Sequence, residues 1–77
     1  MAYSDHEFGQ DLLAQLDAGY DPVRIARRAY GRFLEPGERS DSVHEALIDL
    51  STMEEGEEFH IPEEELRATA DRFIASP

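Results

Sequence analysis

Asp21-Pro22-Val23-Arg24-Ile25-Ala26-Arg27-Arg28-Ala29-Tyr30-Gly31-Arg32-Phe33-Leu34 is the stretch that decides the fold. An aspartate followed by proline at the first helical position is how a helix opens, because the carboxylate caps free N–H groups and proline has none to lose. From there Val23, Ala26, Tyr30, Phe33 and Leu34 recur on one side, with Ile25 and Ala29 widening the stripe. Arg24, Arg27, Arg28 and Arg32 take the opposite side. This is the strongest amphipathic pattern in the chain, and Pro36-Gly37 closes it. A helix with one apolar face buries it against another element, so the flanking sequence is read for matching faces.

Three such faces are found. Upstream, Ser4 and Glu7 have the spacing of a capping box, Phe8, Leu12, Leu13 and Leu16 share a face, and Gly19 suits the position just past a helix. Downstream, Ser40 or Asp41 can cap a third helix whose apolar face is Val43, Ala46, Leu47, Leu50 and Met53, with Gly56 as terminator. Ile48 projects away from that face, among Glu45, Asp49 and Thr52. A fourth helix opens at Pro62. Glu63, Glu64 and Glu65 complement its dipole, Ile61 is placed to staple onto Leu66, and Leu66, Ala70 and Phe73 form the inner face beside Thr69 and Ile74. Between the last two helices, Glu57-Glu58-Phe59-His60-Ile61 alternates polar and apolar residues. That segment is expected to be an extended connector whose Phe59 and Ile61 plug the core. The expected fold is all-α: a compact single domain, 1–77, built as a bundle of four short helices at about 4–18, 22–34, 41–55 and 62–75.

Composition narrows the function. The chain has 77 residues, a net charge of −11 and no cysteine, so disulfides and thiolate metal sites are excluded. A domain this small buries only about 60% of its unfolded surface, and self-association is one way to bury more. The first residues lack the basic and apolar segments of a secretory signal, and no stretch approaches the ~20 apolar residues of a membrane span. A cytoplasmic setting is the expectation. All the basic residues are arginine, which G+C-rich codon usage explains without a functional demand.

Chemistry-bearing motifs are scarce. Setting Gly56 at the sixth position of an EF-hand loop puts Met53 at the third and Pro62 at the twelfth, where a bidentate glutamate belongs, so no calcium loop is read there. His6, His44 and His60 lie in separate segments without metal-ligand spacing. There is no nucleophile elbow and no glycine-rich phosphate loop. No enzyme, cofactor or metal is expected.

Charge segregation is the feature left over. Residues 41 to 65 hold ten carboxylates and no lysine or arginine, while five of the seven arginines lie between Arg24 and Arg39. The arginine stripe Arg24, Arg27, Arg28 and Arg32 could contact nucleic-acid phosphates, yet the net charge repels a polyanion. Its ordinary reading is a solvated face paired with Glu35, Asp21 or the acidic third helix. Glu63 to Glu65 serve a helix start. The remaining suspects are Glu45, Ile48, Asp49, Glu54, Glu55, Glu57 and Glu58, an acidic patch with one apolar anchor. The leading expectation is a non-catalytic module that binds a basic protein partner, in the manner of an inhibitor or immunity-type protein. The alternative is a homodimer formed through an apolar edge at Tyr3, Tyr20 or Ile48. Nucleic-acid binding through the arginine face is third.

Overall fold

The computed structural model describes residues 3–75; Met1, Ala2, Ser76 and Pro77 of the expected 1–77 domain lie outside the described residues. The four expected helices form as α1 (Asp5–Asp17), α2 (Pro22–Leu34), α3 (Asp41–Thr52) and α4 (Glu63–Ala75). Three starts are made by the expected caps. The Ser4 hydroxyl accepts from the Glu7 N–H, the Asp21 carboxylate from the Arg24 N–H, and the Ser40 hydroxyl from the Val43 N–H. Gly19, just past α1, has φ 122°, a left-handed conformation that glycine adopts without a Cβ clash.

The helices form two antiparallel pairs, α1 with α4 and the hairpin of α2 with α3. Facing each other, the pairs enclose one core in which Phe8, Leu12 and Leu16 of α1 meet Ile25, Ala26 and Ala29 of α2. Val43, Leu47 and Leu50 of α3 join them, with Met53 and with Leu66 and Ala70 of α4. No buried side-chain polar atom among the described residues lacks a partner. One isolated bridge joins Tyr3 to Arg39, with the Tyr3 N–H donating to the Glu38 carbonyl at 2.8 Å. It ties the start of the chain to the α2–α3 connector.

Four expectations need correction. The first is the orientation of α2. Its buried residues are Ile25, Ala26 and Ala29, while Val23, Tyr30 and Leu34 are 38%, 52% and 62% exposed. The apolar stripe spans about half the helix circumference, and the fold buries the edge carrying the small alanines, which let the other helices approach. The second concerns the arginines, because the same rotation turns Arg24 and Arg32 toward α1 instead of toward water.

Arg24 donates to the Gln15 Oε1 at 3.2 Å, the Gln15 carbonyl at 2.7 Å and the Gly19 carbonyl at 2.6 Å. It thereby satisfies carbonyls that the end of α1 leaves open. Arg39 does the same for α2, donating to the carbonyls of Arg32 and Phe33 at 3.0 and 2.8 Å.

Third, α3 stops as an α-helix at Thr52, and its expected last residues, Met53–Glu55, tighten into a 3₁₀ turn. Fourth, the connector is not extended. Glu57–Phe59 forms a second 3₁₀ turn, and the tighter winding directs Phe59 outward, leaving it 43% exposed. Ile61 packs against the core as expected, and Met53 is fully buried on the inner side of the first 3₁₀ turn.

Candidate functional site

The acidic surface is built by helical phase. Since Val43, Leu47 and Leu50 face inward, Glu45, Ile48 and Asp49, at relative positions i, i+3 and i+4, share the opposite face. Ile48 is 42% exposed there, as its position among polar residues foretells. The surface continues into Glu54 and Glu55 on the first 3₁₀ turn and Glu57, Glu58 and Phe59 on the second. Gly56 separates the turns with extended backbone, φ 165°. Phe59 joins Ile48 as a large apolar side chain presented on this acidic tract. No signal in the sequence separates an outward Phe59 from a core plug, because an alternating pattern over five residues does not fix the winding of the backbone.

Ion pairing divides the carboxylates sharply. Of the ten between positions 41 and 65, Glu54 meets Arg27 at 2.9 Å and Glu63 meets Arg67 at 3.0 Å. The other eight, Asp41, Glu45, Asp49, Glu55, Glu57, Glu58, Glu64 and Glu65, have no ion pair among the described residues. The two pairs that do form are solvent-exposed, and such pairs contribute about 0–1 kcal/mol each. Glu45 and Asp49 also border an open hollow shared with Asp5, Ser42, Arg72 and Phe73.

The arginine stripe does not persist as one face. Arg24 is tied to the end of α1 and Arg27 to Glu54. Arg32 pairs with Asp11 at 3.2 Å and Glu35 at 3.0 Å while its guanidinium lies 4.7 Å above the Tyr3 ring. Burial draws the Arg32 pKa down, but Glu35, Tyr3 and Asp11 outweigh it and hold it above the ordinary arginine value. Arg28 alone of the four makes no hydrogen bond or ion pair among the described residues.

Two of the three residues expected at a dimer edge are occupied within the molecule. The Tyr20 hydroxyl donates to the Ile61 carbonyl at 2.5 Å. Tyr3 packs edge-on against Phe8 and its hydroxyl donates to Asp11 at 2.6 Å. Burial, then the hydrogen bond to Asp11 and its charge, raise the Tyr3 pKa well above 10, against the smaller opposing effect of Arg32 and Arg28.

This has a pH consequence that is unusually easy to read, because the chain has no lysine or cysteine to titrate in the same range. Above pH ~10 an unfolded tyrosine releases its proton while folded Tyr3 keeps it, so the unfolded state binds fewer protons and stability falls as pH rises. Tyr20 is also raised, by desolvation and then by Glu63, and adds in the same direction. Urea midpoints measured from pH 8 to 11 should decline in the wild type and decline less in Tyr3→Phe. An equal slope in both would remove Tyr3 as the cause.

A small hollow lies between α1 and α2, bordered by Tyr3, Asp11, Gln15, Arg28 and Arg32 over a floor of Leu12, Ile25 and Leu47, with a volume of about 30 Å³. That accommodates a water molecule, against ~300–1,000 Å³ for a small-molecule site. Among the described residues no three histidine, aspartate or glutamate side chains converge to hold a metal ion. His6 instead meets the Ile74 carbonyl at 3.1 Å near the end of α4, and the His44 ring lies 5.1 Å from that of Phe33. No described helix is long and apolar enough to cross a membrane. Comparison with protein families, with curated proteins and with solved structures finds no match to this chain.

Proposed function

We propose that the chain is a non-catalytic module that binds a basic protein through the outer face of α3 and the two 3₁₀ turns. The observation that carries this reading is the excess of unpaired carboxylate on one tract, with Ile48 and Phe59 standing exposed along it. A fold needs neither feature. Helix starts account for Glu63 to Glu65, but Glu45, Asp49, Glu55, Glu57 and Glu58 cap nothing and pair with nothing among the described residues. An acidic tract of this kind accelerates encounter with a positively charged surface, and apolar anchors supply the affinity that charge alone does not. A cytoplasmic inhibitor or immunity-type protein that masks a basic effector, such as a nucleic-acid-cleaving protein, fits this chemistry.

The test is capture from a lysate by the immobilised protein at ~10 mM and at ~1 M salt, where the screening length shrinks from ~30 to ~3 Å. The wild type should retain a discrete basic protein at low salt and release it at high salt. A variant with Glu45, Glu55, Glu57 and Glu58 as glutamine and Asp49 as asparagine should not retain it. A third protein, Ile48→Ala with Phe59→Ala, keeps every charge and should also lose it. Equal retention by that variant would mean simple ion exchange and would end the proposal.

A further inference from the structure

The exposed side of α2 is a second surface that the fold leaves unexplained. Val23, Tyr30 and Leu34 lie at relative positions i, i+7 and i+11, with Arg27 between them at i+4, and so form one stripe along the helix. The hairpin with α3 is cross-linked near one end by Phe33 against His44 and near the other by Arg27 against Glu54. Between those links the antiparallel register sets Ile48 level with Tyr30. Four exposed apolar side chains thus follow the α2–α3 seam.

We infer that this seam is a two-fold self-association surface whose occupant is a second copy of the same chain. Charge selects that occupant. On its exposed side α2 carries Arg27 and Arg28 and no carboxylate, Arg24 and Arg32 being turned toward α1; from Asp41 to Thr52, α3 carries three carboxylates and no lysine or arginine. A basic partner laid along the seam would meet Arg27, and an acidic one would meet Glu45 and Asp49. A second copy turned by a two-fold axis that runs along the seam, parallel to α2 and α3, lays its α3 over the first copy's α2 and its α2 over the first copy's α3. Opposite charges then face each other twice, around a centre of tyrosine, leucine, valine and isoleucine. That is the self-complementarity an isologous interface requires.

Size is consistent with this. A standard interface covers ~800 Å² on each partner, about one sixth of the 4,925 Å² this molecule exposes. A hairpin face of a body measuring 32 × 24 × 19 Å supplies that area. A domain this small also gains most from covering further apolar surface. The inference does not rest on the proposed binding of a basic protein. The two surfaces share Glu45, Ile48 and Asp49, but Phe59 belongs only to the first and Tyr30 and Leu34 only to the second, which separates their tests.

The experiment is sedimentation equilibrium from micromolar to millimolar protein at ~0.15 M salt, where a screening length of ~8 Å mutes the repulsion between two anionic molecules but spares direct contacts. The wild type should pass from monomer to dimer mass across that range. Tyr30→Gln combined with Leu34→Gln should raise the dissociation constant about tenfold or more, and Phe59→Ala should leave it unchanged. Both glutamines sit at exposed helix positions, and a thermal melt of the double variant at monomeric concentration checks that it is folded. Leu34→Gln alone, at the most exposed site, gives a smaller shift of the same sign. A wild type that stays monomeric at millimolar concentration overturns the inference. So does a dimer that both α2 variants leave intact.

Discussion

Leu47→Ala lowers the unfolding free energy by about 3 kcal/mol, within the range for a leucine truncated in a packed core. Leu47 is 1% exposed, on the buried face of α3 where that helix meets both α1 and α2. It also floors the small hollow between α1 and α2. Removing its side chain therefore enlarges that hollow and strips the facing side chains of α1 and α2 of their contacts with it. A chain of 77 residues has a total stability of only ~4–12 kcal/mol at ~0.05–0.15 kcal/mol per residue. The loss is a large share of it. Urea titration should show a much lower midpoint with an unchanged slope. A loss under ~1 kcal/mol would mean that the contacts around Leu47 are not those described.

Gly9→Ala is the second large effect, and its sign distinguishes close packing from helix propensity. A Cβ built on Gly9 would lie 2.7 Å from the Ala70 carbonyl oxygen and 2.9 Å from the Ile74 nitrogen. Both are backbone atoms of α4 that no rotamer change can remove. Alanine gains ~1 kcal/mol over glycine within a helix, but the forced separation of α1 from α4 costs about 1–3 kcal/mol. The net should be destabilising, and Gly9→Val more so. Gly31→Ala makes the comparison, because nothing lies within 4 Å of its Cβ position on exposed α2. That variant should be more stable than wild type by about 0.5–1 kcal/mol. Each kcal/mol moves the melting temperature of a domain this size by ~4–8 °C, so thermal melts resolve the opposite signs. Two stabilising substitutions would contradict the close α1–α4 contact.

The helices were legible because each has its own local signals. Ser4, Asp21 with Pro22, and Ser40 mark starts through side-chain chemistry that acts within three residues, and the faces of α1, α3 and α4 follow from spacing alone. The orientation of α2 was not legible. Seven apolar residues spread over about half the circumference of that helix leave its inner edge to be set by neighbours, and the long side chains of Arg24 and Arg32 reach α1 in a way no periodicity encodes. Gly9 escaped for a related reason. A glycine within an amphipathic run reads as a weak helix residue, and its role in the close approach of α4 depends on a residue sixty positions away. For the candidate site, helical phase placed Glu45, Ile48 and Asp49 on one face, but the outward turn of Phe59 depends on a 3₁₀ winding without a sequence signature.

A docking role for the acidic tract from Glu45 to Phe59, as opposed to a merely solubilising one, can be observed residue by residue. The most direct test is chemical-shift mapping of the labelled protein, titrated with the basic protein that the wild type retains at low salt. The account predicts the largest perturbations at Glu45, Ile48 and Asp49 and across Glu54 to Phe59, with α1 and α4 little changed. Perturbations centred on α1 and α4, or on Arg24 to Arg32, would contradict it.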